Sequence, residues 1–122
     1  CTKYYHLSKD TLNQIKKTKK KIKIFNNPQK AIKNADVVLT DKVISMNDKV
    51  NKKKKIKDFL QFKITSKLMS LSKNAYLLHC LPRGNEVSDE VFYGNRSKVW
   101  QQAYNRIHVQ KSILLFCLGK LR

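Results

Sequence analysis

Two short runs, A-D-V-V-L-T at residues 35–40 and A-Y-L-L-H at residues 75–79, constrain the fold of this chain most. Both are apolar and β-branched or aromatic enough for buried strands. Each is followed directly by a residue with chemistry, Asp41 in one case and Cys80 in the other. Helical patterns lie between and around them. Strands that alternate with helices assemble into a mostly parallel sheet with helices on both faces, since parallel neighbours need a long crossover connection. The expected class is therefore three-layer α/β. In such sheets a ligand lies beyond the carboxyl ends of the strands, which singles out residues 41–46 and 80–84.

The remaining segments fit this frame. Ser8 can cap a helix through Lys21, with Leu12 and Ile15 three apart and Asp10 near its positive end. K-I-K-I-F at residues 21–25 alternates as a strand near a sheet edge does. After Asn26 and Asn27, Pro28 suits the first turn of a helix running toward Asn34. Residues 49–62 carry Lys52 to Lys55 with Ile56, Phe59 and Leu60 close behind, an amphipathic helix with a wet lysine face. Leu68, Met69 and Leu71 predict a short helix over residues 65–72, and Leu81, Pro82, Arg83 and Gly84 a loop. Ser88 caps S-D-E-V-F-Y-G, with Asp89 and Glu90 complementing the helix dipole and Gly94 stopping the turn. Residues 98–100 suit a short strand. Residues 105–120 predict the longest helix, whose face of Ile107, Ile113, Leu114, Phe116, Cys117 and Leu118 puts Cys117 in the core.

Length and charge narrow the function classes. A chain of 122 residues holds one domain, not a two-domain enzyme. Its longest strictly apolar run, residues 113–118, falls far short of the roughly 20 residues a membrane-crossing helix needs, so no membrane partner is expected. The net charge of +19 first suggests an anionic partner such as nucleic acid. Only four of the 27 cations are Arg, the residue best suited to phosphate and base edges, and ten Asn accompany them. The excess reads as lysine-coated, solvated faces. Tyr4, Tyr5, Tyr76, Phe25 and Phe62 are scattered instead of forming a platform for bases, and no nucleic-acid partner is expected. Cys1, Cys80 and Cys117 form neither a disulfide framework nor a zinc site, which fits a reducing, cytoplasmic setting. His6, His79 and His108 lack ligand spacing, so no metal is expected. The chain starts at Cys1 without the pattern of an export signal, as a fragment lacking its natural start would.

Asp41 and Cys80 fall at equivalent ends of two strands, and Arg106 lies near the start of the long helix. A carboxylate holds an ammonium group and an Arg polarises a carbonyl or grips phosphate. Spacing alone leaves Asp41 open as a turn-forming residue and Cys80 as a small buried hydrophobe. His79 is expected to point away from Cys80 or into the turn.

Three motifs in order carry a resemblance. H-C-L-P at residues 79–82 followed by G-N-E-V-S-D-E-V, then N-R-I-H-V-Q-K-S-I-L, and before them A-D-V-V-L-T-D with Ser45 and Met46, together resemble the C-terminal, ornithine-binding half of ornithine carbamoyltransferases. The similarity runs over essentially the whole chain and is weakest over residues 49–67. Aspartate carbamoyltransferases usually carry H-P-L-P at the turn, so Cys80 favours the ornithine branch. The resemblance implies a Rossmann-like domain occupying residues 1–122 in partial form, without its first strand and helix. It also implies transfer of a carbamoyl group from carbamoyl phosphate to the side-chain amine of ornithine, with no cofactor, in cytoplasmic arginine biosynthesis by a homotrimer.

Carried over position by position, Asp41, Ser45, Met46 and Cys80 resemble the ornithine-binding set. Cys80, Leu81 and Arg106 resemble the carbamoyl phosphate set, and Asp41, Cys80 and Arg106 the catalytic one. Asn47 stands where the family usually has Gly, Val43 after Lys42 where Trp is common, and Tyr104 where Glu precedes N-R. The family's S-x-R-T and H-P-x-Q segments do not occur in these 122 residues, so the fragment alone is expected to be inactive. Two other readings accompany this one: a small basic nucleic-acid-binding protein, and a degenerate carbamoyltransferase paralogue without catalysis.

Overall fold

The computed structural model of the chain describes residues 5–18, 22–44 and 51–120. At its centre strand β1 (Val37–Thr40) lies parallel to β2 (Tyr76–His79), pairing Val37 with Tyr76, Val38 with Leu77, Leu39 with Leu78 and Thr40 with His79. Side chains alternate across a sheet. Leu77 and His79 are accordingly buried, while Val37, Leu39 and Tyr76 on the other face are 50%, 65% and 47% exposed. A single bridge at Ser97 continues the sheet beyond β2, where Leu77 N–H donates to the Arg96 carbonyl and Lys98 N–H to the Leu77 carbonyl, both at 2.9 Å. The expected α/β class with parallel strands is what these elements form.

Helix α1 (Lys9–Lys17) starts at Ser8, whose Oγ accepts from Thr11 N–H at 3.1 Å. It stops at Thr18, short of the expected end. Helix α2 (Pro28–Ile32) has Pro28 in its first turn, as its sequence indicates, and is capped by the Asn27 side chain. Helix α3 (Lys52–Phe59) is capped by Asn51 and tightens into a 3₁₀ turn, Leu60–Phe62. Helix α4 (Ser66–Met69) is capped by Thr65 and sinks Met69 into the core. Helix α5 (Asp89–Phe92) follows Ser88, which takes the cap position without a side-chain bond to the helix. Gly94 ends that turn closely, since a Cβ there would lie 2.6 Å from the Glu90 carbonyl oxygen. Helix α6 (Val99–Cys117) is the longest.

The core joins Ile32, Ile64, Met69, Leu77, Phe92 and Val99. Arg83 closes the loop beside it, pairing with Asp89 at 2.6 Å and lying 4.5 Å from the Phe92 ring centroid. Planar guanidinium over an aromatic face is favourable while its edge still reaches a carboxylate.

Three local expectations are corrected. Residues 22–25 form no strand: the alternation is there, but a strand requires an adjacent backbone to pair with, and β1 pairs with β2. Residues 98–100 are not a strand, because the extended segment ends at Ser97 and α6 begins at Val99, six residues before the expected start. Cys117 is exposed, not core, since Ile107, Ile113, Leu114, Phe116 and Leu118 along the same helix are 55–70% exposed and nothing described packs over them. No helix among the described residues is long and apolar enough to cross a membrane.

Candidate active site

The register that pairs Thr40 with His79 sends the next residue of each strand off the sheet side by side. These are Asp41 and Cys80, and Cys80 Sγ donates to Asp41 Oδ1 at 2.8 Å. The Lys42 N–H donates to the same oxygen at 2.6 Å. With two donors on one oxygen, the carboxyl is held below its usual range, first by the thiol and then by the backbone N–H. The thiol is pushed up, first because its hydrogen is engaged by Asp41 and then by burial. Cys80 therefore stays a protonated donor near neutral pH. That state suits orienting a substrate better than nucleophilic attack, which needs the thiolate.

His79 points into the turn. Its Nδ1 accepts the Leu81 N–H at 2.9 Å, which leaves Nε2 to carry the ring proton and donate it to Glu86 Oε1 at 2.9 Å. The His79 side chain is fully buried and that of Glu86 is 4% exposed. Burial opposes ionisation of Glu86, but N–H donation from Gly84 at 2.5 Å, the His79 ring and Val43 N–H outweigh it and the carboxyl is lowered. The backbone of Glu86 is itself fixed, its carbonyl accepting Ile64 N–H at 2.8 Å. One carboxylate thus ties the loop after β1, through Val43, to the loop after β2, through Gly84.

Leu81 has φ 51° and a cis bond to Pro82. A left-handed conformation costs a non-glycine residue on the order of 1–3 kcal/mol, and the bond from its N–H to His79 holds it there. Asp41 also borders a cavity of about 400 Å³ with Thr40, Lys42, Phe59, Lys63 and Glu86. That volume lies in the range of small-molecule sites.

Of the residues expected from sequence, Asp41, Cys80 and Leu81 come together. Arg106 is exposed on α6, one turn beyond Gln102, and no hydrogen bond or ion pair links it to Asp41 or Cys80 among the described residues. Ser45, Met46 and Asn47 lie outside the described residues. Glu86 and Gln102, whose Oε1 accepts His79 N–H at 2.9 Å, were not singled out from sequence. The one available signal for Glu86 was an acid in a loop shortly after a buried histidine, and Gln102 gave none.

The described residues contain no group of three or more His, Cys, Asp or Glu side chains placed to hold a metal. Comparison with known proteins matches residues 1–117 to the family described as aspartate/ornithine carbamoyltransferase, Asp/Orn binding domain. An ornithine carbamoyltransferase of Caldicellulosiruptor saccharolyticus is 42% identical over 127 aligned positions, covering 98% of this chain and 41% of the relative. One of Campylobacter hominis is 44% identical, covering 93% of this chain and 40% of the relative. Among solved structures, an anabolic ornithine carbamoyltransferase of Campylobacter jejuni superposes with a TM-score of 0.80 at 36% identity, over 98% of this chain and 42% of that one. A mitochondrial one from Coccidioides immitis gives 0.75 at 32%, over all of this chain and 40% of that one. The chain therefore spans about 40% of the length of the curated relatives it matches.

Proposed function

Because the chain belongs to the aspartate/ornithine carbamoyltransferases, through their Asp/Orn-binding domain, we propose that it supplies the amine-binding half of an ornithine carbamoyltransferase. The reaction is attack of the ornithine side-chain amine on the carbonyl carbon of carbamoyl phosphate. A C–N bond forms, the C–O bond to phosphate breaks with its electron pair leaving on phosphate, and one amine proton is lost, giving citrulline and phosphate. The observation that carries this reading is the Asp41–Cys80 pair at 2.8 Å at the carboxyl ends of parallel strands. The turn of aspartate carbamoyltransferases usually reads H-P-L-P, so the thiol of Cys80 favours ornithine as the amine.

Asp41 holds the amine-bearing substrate with its second oxygen, since Oδ1 already accepts two hydrogens. The protonated Cys80 thiol orients that carboxylate and leaves the attacking amine as the nucleophile. Ser45 and Met46 complete the ornithine side. Cys80 and Leu81 meet the carbamoyl group, the Leu81 carbonyl accepting from its NH₂. Arg106 opposes the charge that grows on the carbonyl oxygen and departing phosphate. The grip on phosphate comes from segments that these 122 residues do not contain, and alignment of the two substrates supplies much of the acceleration. The chemistry needs no cofactor. The setting is cytoplasmic arginine biosynthesis, and the complete enzyme is a homotrimer.

The test is product identification with the complete enzyme carrying this domain, offered carbamoyl phosphate with ornithine or aspartate. Citrulline from ornithine is expected. Carbamoyl-aspartate as the product, or no transfer to either amine, overturns the reading.

A further inference from the structure

At the edge of the sheet the ladder between β2 and the segment before α6 is interrupted in a way that gives one side chain a specific task. Leu77 N–H donates to the Arg96 carbonyl, so a continuing parallel ladder would give His79 N–H to the Lys98 carbonyl two residues on. That carbonyl is already used. It accepts Gln102 N–H at 2.8 Å, the first bond of α6. The His79 N–H would be left without a partner beside a buried ring, and a buried donor with no acceptor is costly. Gln102 Oε1 takes it instead, at 2.9 Å.

The bond does more than satisfy a donor. Val99 is the one buried residue of α6, and beyond Ala103 the helix is exposed except at Leu115, which is half-buried. Gln102 is thus the last hydrogen-bonded tether between α6 and the sheet among the described residues before Arg106. Arg106 follows Gln102 by four residues, so both lie on one face of the helix, about 6 Å apart along its axis. The atom that Gln102 holds is the backbone nitrogen of His79, next in the chain to Cys80, and the His79 ring in turn holds the Leu81 N–H.

We propose that Gln102 is a positioning residue that sets Arg106 against Cys80 and Leu81, and so aligns carbamoyl phosphate with the attacking amine. The inference rests on the reading of Arg106 as the carbamoyl phosphate contact. Gln102→Leu removes the acceptor at similar size, and Gln102→Glu keeps an oxygen in the same place. In the complete enzyme, Gln102→Leu is expected to raise KM for carbamoyl phosphate and lower kcat, each by about tenfold or more. KM for ornithine should stay within about twofold, and Gln102→Glu should restore most of the loss. In this chain, amide exchange at His79 should quicken in Gln102→Leu and not in Gln102→Glu.

Equal shifts in both Michaelis constants, no shift in either, or unchanged exchange at His79 would overturn the proposal while leaving the carbamoyltransferase reading intact. A wild-type enzyme that transfers no carbamoyl group would overturn that reading and this one with it. Should Gln102→Leu fold poorly, the Glu variant decides: full activity with a protected His79 amide supports the tether, and loss of both contradicts it.

Discussion

The hydrogen that Cys80 gives to Asp41 lowers the carboxyl and raises the thiol, so the two groups prefer their ionised and neutral forms over a wide pH span. Alkylation of Cys80 should accordingly be slow at pH 8, and Asp41→Asn should speed it by about threefold or more by removing the neighbouring charge. Peptide mapping after brief iodoacetamide treatment reads this with Cys117 as an exposed comparator in the same chain. A Cys80 rate unaffected by Asp41→Asn would contradict the pairing. In the complete enzyme, Asp41→Asn should mainly weaken ornithine binding, and Arg106→Ala should cost about 2–4 kcal/mol of transition-state stabilisation with poorer carbamoyl phosphate binding. Cys80→Ser should keep part of the activity, because a donor remains. Steady-state kinetics with each substrate varied separates these effects, and equal losses on both substrates would make Asp41 and Arg106 props of the fold. Asp41 and Cys80 could be named in advance because adjacent strand ends are a consequence of topology. Glu86 could not, because its value lies in three donors that converge only once two loops are folded. Its folded carboxyl is lowered, so the stability it adds is present above the ordinary glutamate value and is lost as pH falls through the folded one. Glu86→Gln should therefore flatten the acid limb of a stability–pH curve measured by denaturant unfolding, and an acid limb identical to wild type would contradict this.

At the scale of elements, caps and periodicity were readable where one residue acts on its own neighbours. Ser8 caps through a local bond, and Pro28 enters at the first turn because it has no N–H to lose. Ser88 takes its expected cap position without the side-chain bond, while Asn27 and Thr65, not singled out from sequence, do cap. Residues 22–25 failed because a strand is a relation between two stretches of backbone, and alternation does not say whether the partner is there. Residues 98–100 have β2 beside them at Ser97 and fail because α6 takes over at Val99. The early start of α6 was hidden for the opposite reason. Val99 and Trp100 have strand-like side chains, yet Val99 is wholly buried against the sheet as the first turn of a helix, where packing overrides propensity. Helix α3 presents another local conflict, with Lys52 and Lys53 at its positive end and Asn51 alone offsetting them. Replacing Lys52 or Lys53 with Glu should stabilise the fold by about 0.3–1 kcal/mol each at low salt, fading as salt is added. In the complete enzyme the same changes should leave both substrate affinities nearly unchanged, since solvated lysines contribute little specific binding. Thermal melts at two ionic strengths, with Michaelis constants alongside, check both halves; a large loss of carbamoyl phosphate affinity would give the lysine run a role in binding.

For the whole molecule, two opposed properties decide how this chain behaves alone. Its core is small, with nine buried apolar residues among those described, while Val37, Leu39 and Tyr76 on the sheet and Ile107, Ile113, Leu114 and Phe116 on α6 stand in solvent. Large apolar side chains exposed along a strand face and a helix favour association. Against it stands a charge of +19, which makes copies repel one another. The repulsion acts over about 10 Å at 0.1 M salt and about 3 Å at 1 M, whereas burial of apolar surface does not weaken with salt. The 122-residue chain should make no citrulline, because alignment of two substrates needs a grip on phosphate that these residues do not supply. It should also bind a hydrophobic dye such as anilinonaphthalene sulfonate and sediment as a monomer at low salt. Its apparent mass should rise as salt is added. Association that instead falls with salt would mean charge, not apolar surface, joins the copies. A dye-silent monomer at every ionic strength would mean that the apolar faces of β1 and α6 are covered in solution, and would contradict their exposure.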